Sequence, residues 1–185
     1  MNHVPRSDIV DYVTYEEQRD EYRAKVLAIK RPRRIHVGEH LTFLFENAAT
    51  IRYQVQEMMR TERIVKEADI VHELHTYNEL LGGEGELGCT LLIEIDDEED
   101  RSIKLKQWIE LIYHLYFEVE GGDRIRPKFD ERQIGRGRLS SVQYLKFDLK
   151  GRKPVALGAD FSHLTIHTEL KPEQVAALSE DLGIK

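Results

Sequence analysis

Cysteine is nearly absent from this 185-residue chain, and the single one, Cys89, excludes an internal disulfide and any multi-thiol metal site. Long apolar runs are missing as well. No early hydrophobic segment reads as a signal peptide and no stretch is long enough to cross a bilayer, so a soluble protein of the reducing cytoplasm is expected. The glycines form no phosphate-binding fingerprint, because Gly135-Arg136-Gly137 lacks both the spacing and a following helix. No serine, threonine or cysteine lies in a nucleophile motif, and no acid/base couple stands out among the 34 acidic residues. Catalytic residues and cofactors are therefore left unassigned. Repeats and low-complexity tails are also missing, and the length suits one domain over residues 1–185.

What is present is charge. The net charge of −7 opposes general nucleic-acid affinity. Its distribution is uneven, with an acidic run at Glu94–Asp100 and basic clusters at Lys30–Arg34 and between Arg124 and Arg138.

The stretch that organises the chain is Phe45–Ile64. Asn47 is placed to cap a helix through Arg63, and at about 100° per residue Ile51, Val55, Met58 and Met59 share one side. Tyr53, Gln56, Glu57 and Arg60 share the other, which reads either as a solvated face or as a surface that recognises a partner. Before it, Thr14 and Glu17 have capping-box spacing for a helix to about Ile29. Pro32 stops that helix, and Arg33–Val37 and His40–Phe45 form a hairpin about Gly38-Glu39. After it come a helix over Lys66–Leu81, a strand over Leu87–Ile95, a helix over Ser102–Ile112 and a hairpin turning at Gly121-Gly122. Glu131–Ser140 reads as a mobile loop, followed by strands at Val142–Leu149, Val155–Gly158 and Leu164–Glu169 and a C-terminal helix opened by Pro172. Hairpins without regular strand–helix alternation predict an α+β fold. Its sheet should be mostly antiparallel, with curvature or barrel closure left open, and its helices grouped on one face.

Two constellations suggest ligands. Asp69, His72 and His75 follow one another at i,i+3 on a helix and could offer oxygen and nitrogen to a divalent metal, although no HExxH or thiol cluster supports them. The pairs His36/His40 and His163/His167 are weaker ligand sets of the same kind. Arg33 and Arg34 at a helix end, with Arg136 and Arg138 in the loop, could bind an anion or an RNA backbone if folding joins them.

The segments RRIHVG, LFENAATIRYQVQEMMRTERI, TYNELLGGEGELGCTLLIEI and SSVQYLKFDL, in this order, resemble the bacterial family called domain of unknown function 3501. The resemblance covers nearly the whole chain. It implies no activity or ligand, but it points to Arg34, Glu46, Asn47, Thr50, Gln56, Glu57, Arg60 and Glu62 as the positions to watch. Genes of that family commonly neighbour those for rubrerythrin and for iron–sulfur proteins resembling heterodisulfide reductase subunits, which implies a redox or oxidative-stress setting. The chain departs from the family pattern at Gln143, where histidine is usual, and at Phe161, where an Asp-His-Pro run is usual; it also lacks the proline after Tyr77-Asn78. The leading expectation is an accessory or adaptor protein docking to a redox partner through Tyr53, Gln56, Glu57 and Arg60, with Glu46, Asn47 and Thr50 shaping the start of that helix. A metal enzyme or carrier using Asp69, His72 and His75 is the alternative, and anion or RNA binding the third.

Overall fold

The computed structural model describes residues 3–135 and 137–184. Helix α1 spans Tyr12–Lys30 and starts earlier than the Thr14/Glu17 spacing predicts. Asp11 is the reason, since its carboxylate accepts the backbone N–H groups of Val13 and Thr14, each at 3.0 Å. A 3-10 turn at Arg31–Arg33, holding Pro32, leads into the hairpin of β1 (Arg34–Val37) and β2 (Leu41–Phe45). Then follow α2 (Ala48–Glu62), α3 (Glu67–Asn78) and β3 (Glu86–Ile93). Helix α4 (Glu98–Gln107) absorbs the acidic run: Asp97 caps it by accepting the Asp100 N–H at 2.7 Å, and Glu98, Glu99 and Asp100 fill its first turn, where the helix dipole favours negative charge. A short α5 (Leu111–His114) precedes β4 (Leu115–Val119), β5 (Arg124–Ile125), β6 (Val142–Asp148), β7 (Pro154–Phe161), β8 (Leu164–Glu169) and α6 (Pro172–Asp181).

The strands form two antiparallel sheets, β1-β2-β3-β6 and β5-β4-β7-β8, and neither is a closed barrel. Between β3 and β4 the chain runs through α4 and α5, and β4 then pairs with β5 and β7 instead of β3, so a second sheet arises where one was expected. Alternation turns Ile35, Val37, Phe43, Phe45, Cys89, Leu91 and Phe147 to one side of the first sheet. Leu115, Phe117, Leu157, Ala159 and Phe161 face them from the second. Phe117 lies 5.6 Å from Phe45 and 5.3 Å from Phe147, ring centre to ring centre, so the two sheets share one core. The expected mobile loop is partly tied down by a 3-10 turn at Glu131–Gln133, a bridge from Ile134 to Leu139 and full burial of Leu139.

The helices hold a second core. Ile51, Val55 and Met59 of α2 meet Ile70 and Leu74 of α3, together with Val4, Ile9 and Leu81. The chain after α3 then presses onto β3 at Gly88, where a Cβ would lie 1.9 Å from the Leu80 carbonyl oxygen. Backbone cannot yield as a side-chain tip can, so Gly88→Ala should destabilise the fold by about 3 kcal/mol. Urea unfolding should show a lower midpoint at unchanged slope.

Candidate functional site

The start of α2 carries a connected set of polar side chains. Asn47 caps the helix, its side-chain oxygen accepting the Thr50 N–H at 3.1 Å while the Thr50 hydroxyl accepts the Asn47 N–H at 2.9 Å. The same hydroxyl donates to the carboxylate of Glu46, which is 8% exposed. From its amide nitrogen Asn47 donates to Asp181 at 3.1 Å, and Asp181 receives Arg33 through two bonds of 2.7 and 2.9 Å. Arg33 also reaches the Ile29 carbonyl at 2.9 Å and the Ala177 carbonyl at 3.3 Å. Both side chains of that ion pair are buried, at 6% and 5% exposure. Arg33 is thus committed inside the protein and is no free anion ligand, contrary to the reading of the basic cluster from sequence.

Its neighbours are placed differently. The two sheets approach at β1 and β8, where a Cβ on Gly38 would lie 1.9 Å from the Ile166 side chain. Away from that contact they part around a cleft of about 880 Å³. Lys30, Arg31, Arg34, His36 and Lys171 line it together with apolar groups that include Leu27, Ile35 and Leu44. Glu169 and Glu173 are the acidic residues of the lining. Arg34 is half exposed and reaches Glu94 at 3.3 Å, while Lys30 lies over the Tyr53 ring at 5.5 Å. Of the other two expected anion ligands, Arg138 is exposed and does not line the cleft, and Arg136 lies outside the described residues.

The polar side of α2 is not a free surface, because α1 lies across it. The Tyr15 hydroxyl donates to Glu57 at 2.6 Å, and Arg19 grips the same carboxylate at 2.8 and 2.9 Å, holding it below the usual glutamate range. Gln56, only 2% exposed, exchanges hydrogen bonds with the backbone of Val10 at 2.8 and 3.1 Å. Arg60 pairs with Glu16, and Tyr53 is buried beside Tyr22. The four residues expected to face a partner therefore belong to the packing of α2 against α1 and the segment just before it. They look solvated in sequence because the helix that covers them is itself polar on its mating side.

Among the described residues no group of three or more His, Cys, Asp or Glu side chains is arranged to hold a metal ion. Asp69, His72 and His75 are all exposed on α3, and steps of three residues drift backward by about 60° each, leaving the first and last about 120° apart. His75 instead lies 3.5 Å from Glu79. The other histidine pairs also go separate ways: His167 Nδ1 meets the Tyr116 hydroxyl at 3.0 Å, and His40 packs against Trp108. Cys89 is buried in the sheet core, where desolvation and the nearby Glu46 push its thiol well above the ordinary value. Gln143 and Phe161 are core residues too.

One arrangement escaped the sequence. Thr42, opposite His36 in the hairpin register, places its hydroxyl 2.8 Å from His36 Nδ1 and donates to Glu94. The tight turn at Gly38 carried enough information to pair His36 with Thr42. Nothing local marked Glu94 as the third member.

Burial raises the carboxyl of Glu46 above its ordinary value of 4.5, partly offset by Lys30 and the Thr50 hydroxyl. The folded state then binds the proton more tightly than the unfolded chain, so this group's contribution is full at low pH and is lost as pH climbs past 4.5 through the raised value. Glu46→Gln keeps an acceptor for Thr50 and removes the charge. Its unfolding free energy, followed from pH 4 to 8, should fall less with rising pH than that of the wild type.

The described chain resembles known proteins over almost its full extent. A crystal structure from Burkholderia pseudomallei K96243, described as a novel protein of unknown function, superposes with a TM-score of 0.87 at 29% identity, covering 98% of this chain and 100% of that one. No curated protein matches. The family model described as protein of unknown function (DUF3501) matches residues 3–182, and the chain belongs to that family.

Proposed function

We propose that this protein binds a small carboxylate- or phosphate-bearing molecule in the cleft between β1 and the β8–α6 junction. The carrying observation is a local reversal of charge. The chain is acidic overall, yet Lys30, Arg31, Arg34 and Lys171 converge on one cleft against Glu169 and Glu173. Arg31 and Lys171 form no ion pair among the described residues, so their charge is available to a ligand. Guanidinium and ammonium groups suit carboxylate and phosphate oxygens, and a concave site with apolar groups in its lining lowers the local dielectric around such bonds. Four of the eight positions that the family resemblance singles out support the same place: Arg34 lines the cleft, while Glu46, Asn47 and Thr50 connect through Asp181 to Arg33 in its wall. An RNA backbone is a poorer fit to a cleft of this size in an acidic protein. Docking of a rubrerythrin-like or iron–sulfur partner at Gln56 and Glu57 would first require α1 and the segment before it to leave.

Titration calorimetry with inorganic phosphate tests the reading. Arg31→Ala combined with Lys171→Ala should weaken binding about tenfold or more, and wild-type affinity should fall as salt rises. Binding that neither the double variant nor salt disturbs would place the anion elsewhere.

A further inference from the structure

We infer that His36 is the hydrogen-bond acceptor of this cleft, so that the anion it selects carries a hydroxyl beside its charge. The inference rests on the anion-binding reading and gives it a specificity. It follows from counting hydrogens. A threonine hydroxyl has one proton to give, and a carboxylate can only accept. Thr42 is 1% exposed and its hydroxyl sits between the Glu94 carboxylate and His36 Nδ1. The proton of Thr42 goes to Glu94, so the contact with His36, at 2.8 Å, is made only if Nδ1 carries a hydrogen and donates it to the threonine oxygen. In the neutral ring that fixes Nε2 as the bare nitrogen. His36 is exposed and lines the cleft, and Nε2 makes no hydrogen bond among the described residues.

The surroundings are consistent with this assignment. Glu94, through its other oxygen, receives Arg34 at 3.3 Å, so one carboxylate orients both the imidazole, by way of Thr42, and a guanidinium of the cleft. Arg34 stands two residues before His36 on β1, and Glu169 and Lys171 line the cleft from the end of β8 and the start of α6. An oxyanion held by Arg31, Arg34 and Lys171 would bring its neighbouring hydroxyl to a lone pair, whereas an anion with only acceptor oxygens would set lone pair against lone pair. Nε2 is thereby placed to accept the hydroxyl of a bound anion while Nδ1–H keeps its bond to Thr42.

Two measurements decide the matter. Nitrogen-15 correlation spectra of the ligand-free protein at pH 8 should show His36 as the Nδ1–H tautomer, and Thr42→Val should move the ring toward the Nε2–H form. Calorimetry at the same pH should compare inorganic phosphate, which keeps a hydroxyl, with sulfate, which has none. Wild-type protein should prefer phosphate about tenfold. His36→Asn can still reach Thr42 but has no Nε2, so it should bind both anions alike, which keeps the test open if Thr42→Val does not fold. An Nε2–H tautomer in the wild type, or equal affinity for the two anions, overturns the role of His36 and leaves anion binding standing. Failure of both anions to bind overturns both.

Discussion

The arrangement around the cleft depends on the buried bidentate pair between Arg33 and Asp181. Arg33 closes the 3-10 turn that follows α1, and Asp181 is the last residue of α6, so the pair ties the end of the first long helix to the last. Asn47 joins it from the start of α2. Removing one member of such a pair leaves an uncompensated buried charge at a cost of about 3–5 kcal/mol. The specific consequence here is geometric. With Arg33 drawn inward, Arg31 and Arg34 on either side of it in sequence are left to the cleft, and the 3-10 turn holding Pro32 fixes that division.

Polar groups in this protein mostly join elements to each other. Glu57 is shared by Tyr15 and Arg19, Gln56 replaces a backbone partner for Val10, and Glu94 serves both Arg34 and Thr42. Each satisfies groups that would be costly to bury alone. The apolar cores, one between the sheets and one among α2, α3 and the N-terminal segment, supply bulk cohesion. The polar joints fix how α2 meets α1 and the N-terminal segment, and how Arg34 and Thr42 are held on the first sheet.

Recognition at the cleft would combine three features that lie far apart in sequence. Cations come from the segment after α1 and from the residue before α6, the apolar lining from α1, β1 and β2, and the oriented imidazole from the β1–β2 hairpin with Glu94 just beyond β3. A protein with no nucleophile motif can still hold an oriented acceptor in this way, because a tautomer is set by hydrogen-bond partners and not by neighbours in the chain.

Elements with local causes are readable from the residues alone. Asn47 and the apolar spacing of Ile51, Val55 and Met59 gave α2; Gly38 gave the first hairpin; Pro172 opened α6; alternation buried Cys89. The family was legible as well, since its motifs are contiguous. Tertiary structure decided what each polar residue does. Gln56 and Glu57 read alike whether they face water or another polar helix, and only the packing of α1 distinguishes those cases. Arg33 and Arg34 are adjacent and chemically identical, yet one is spent on Asp181 and the other is left at the cleft, because the partner that separates them lies 148 residues away. Charge and periodicity report what a side chain can do; the long-range contact that assigns it a partner is fixed only when the chain closes on itself.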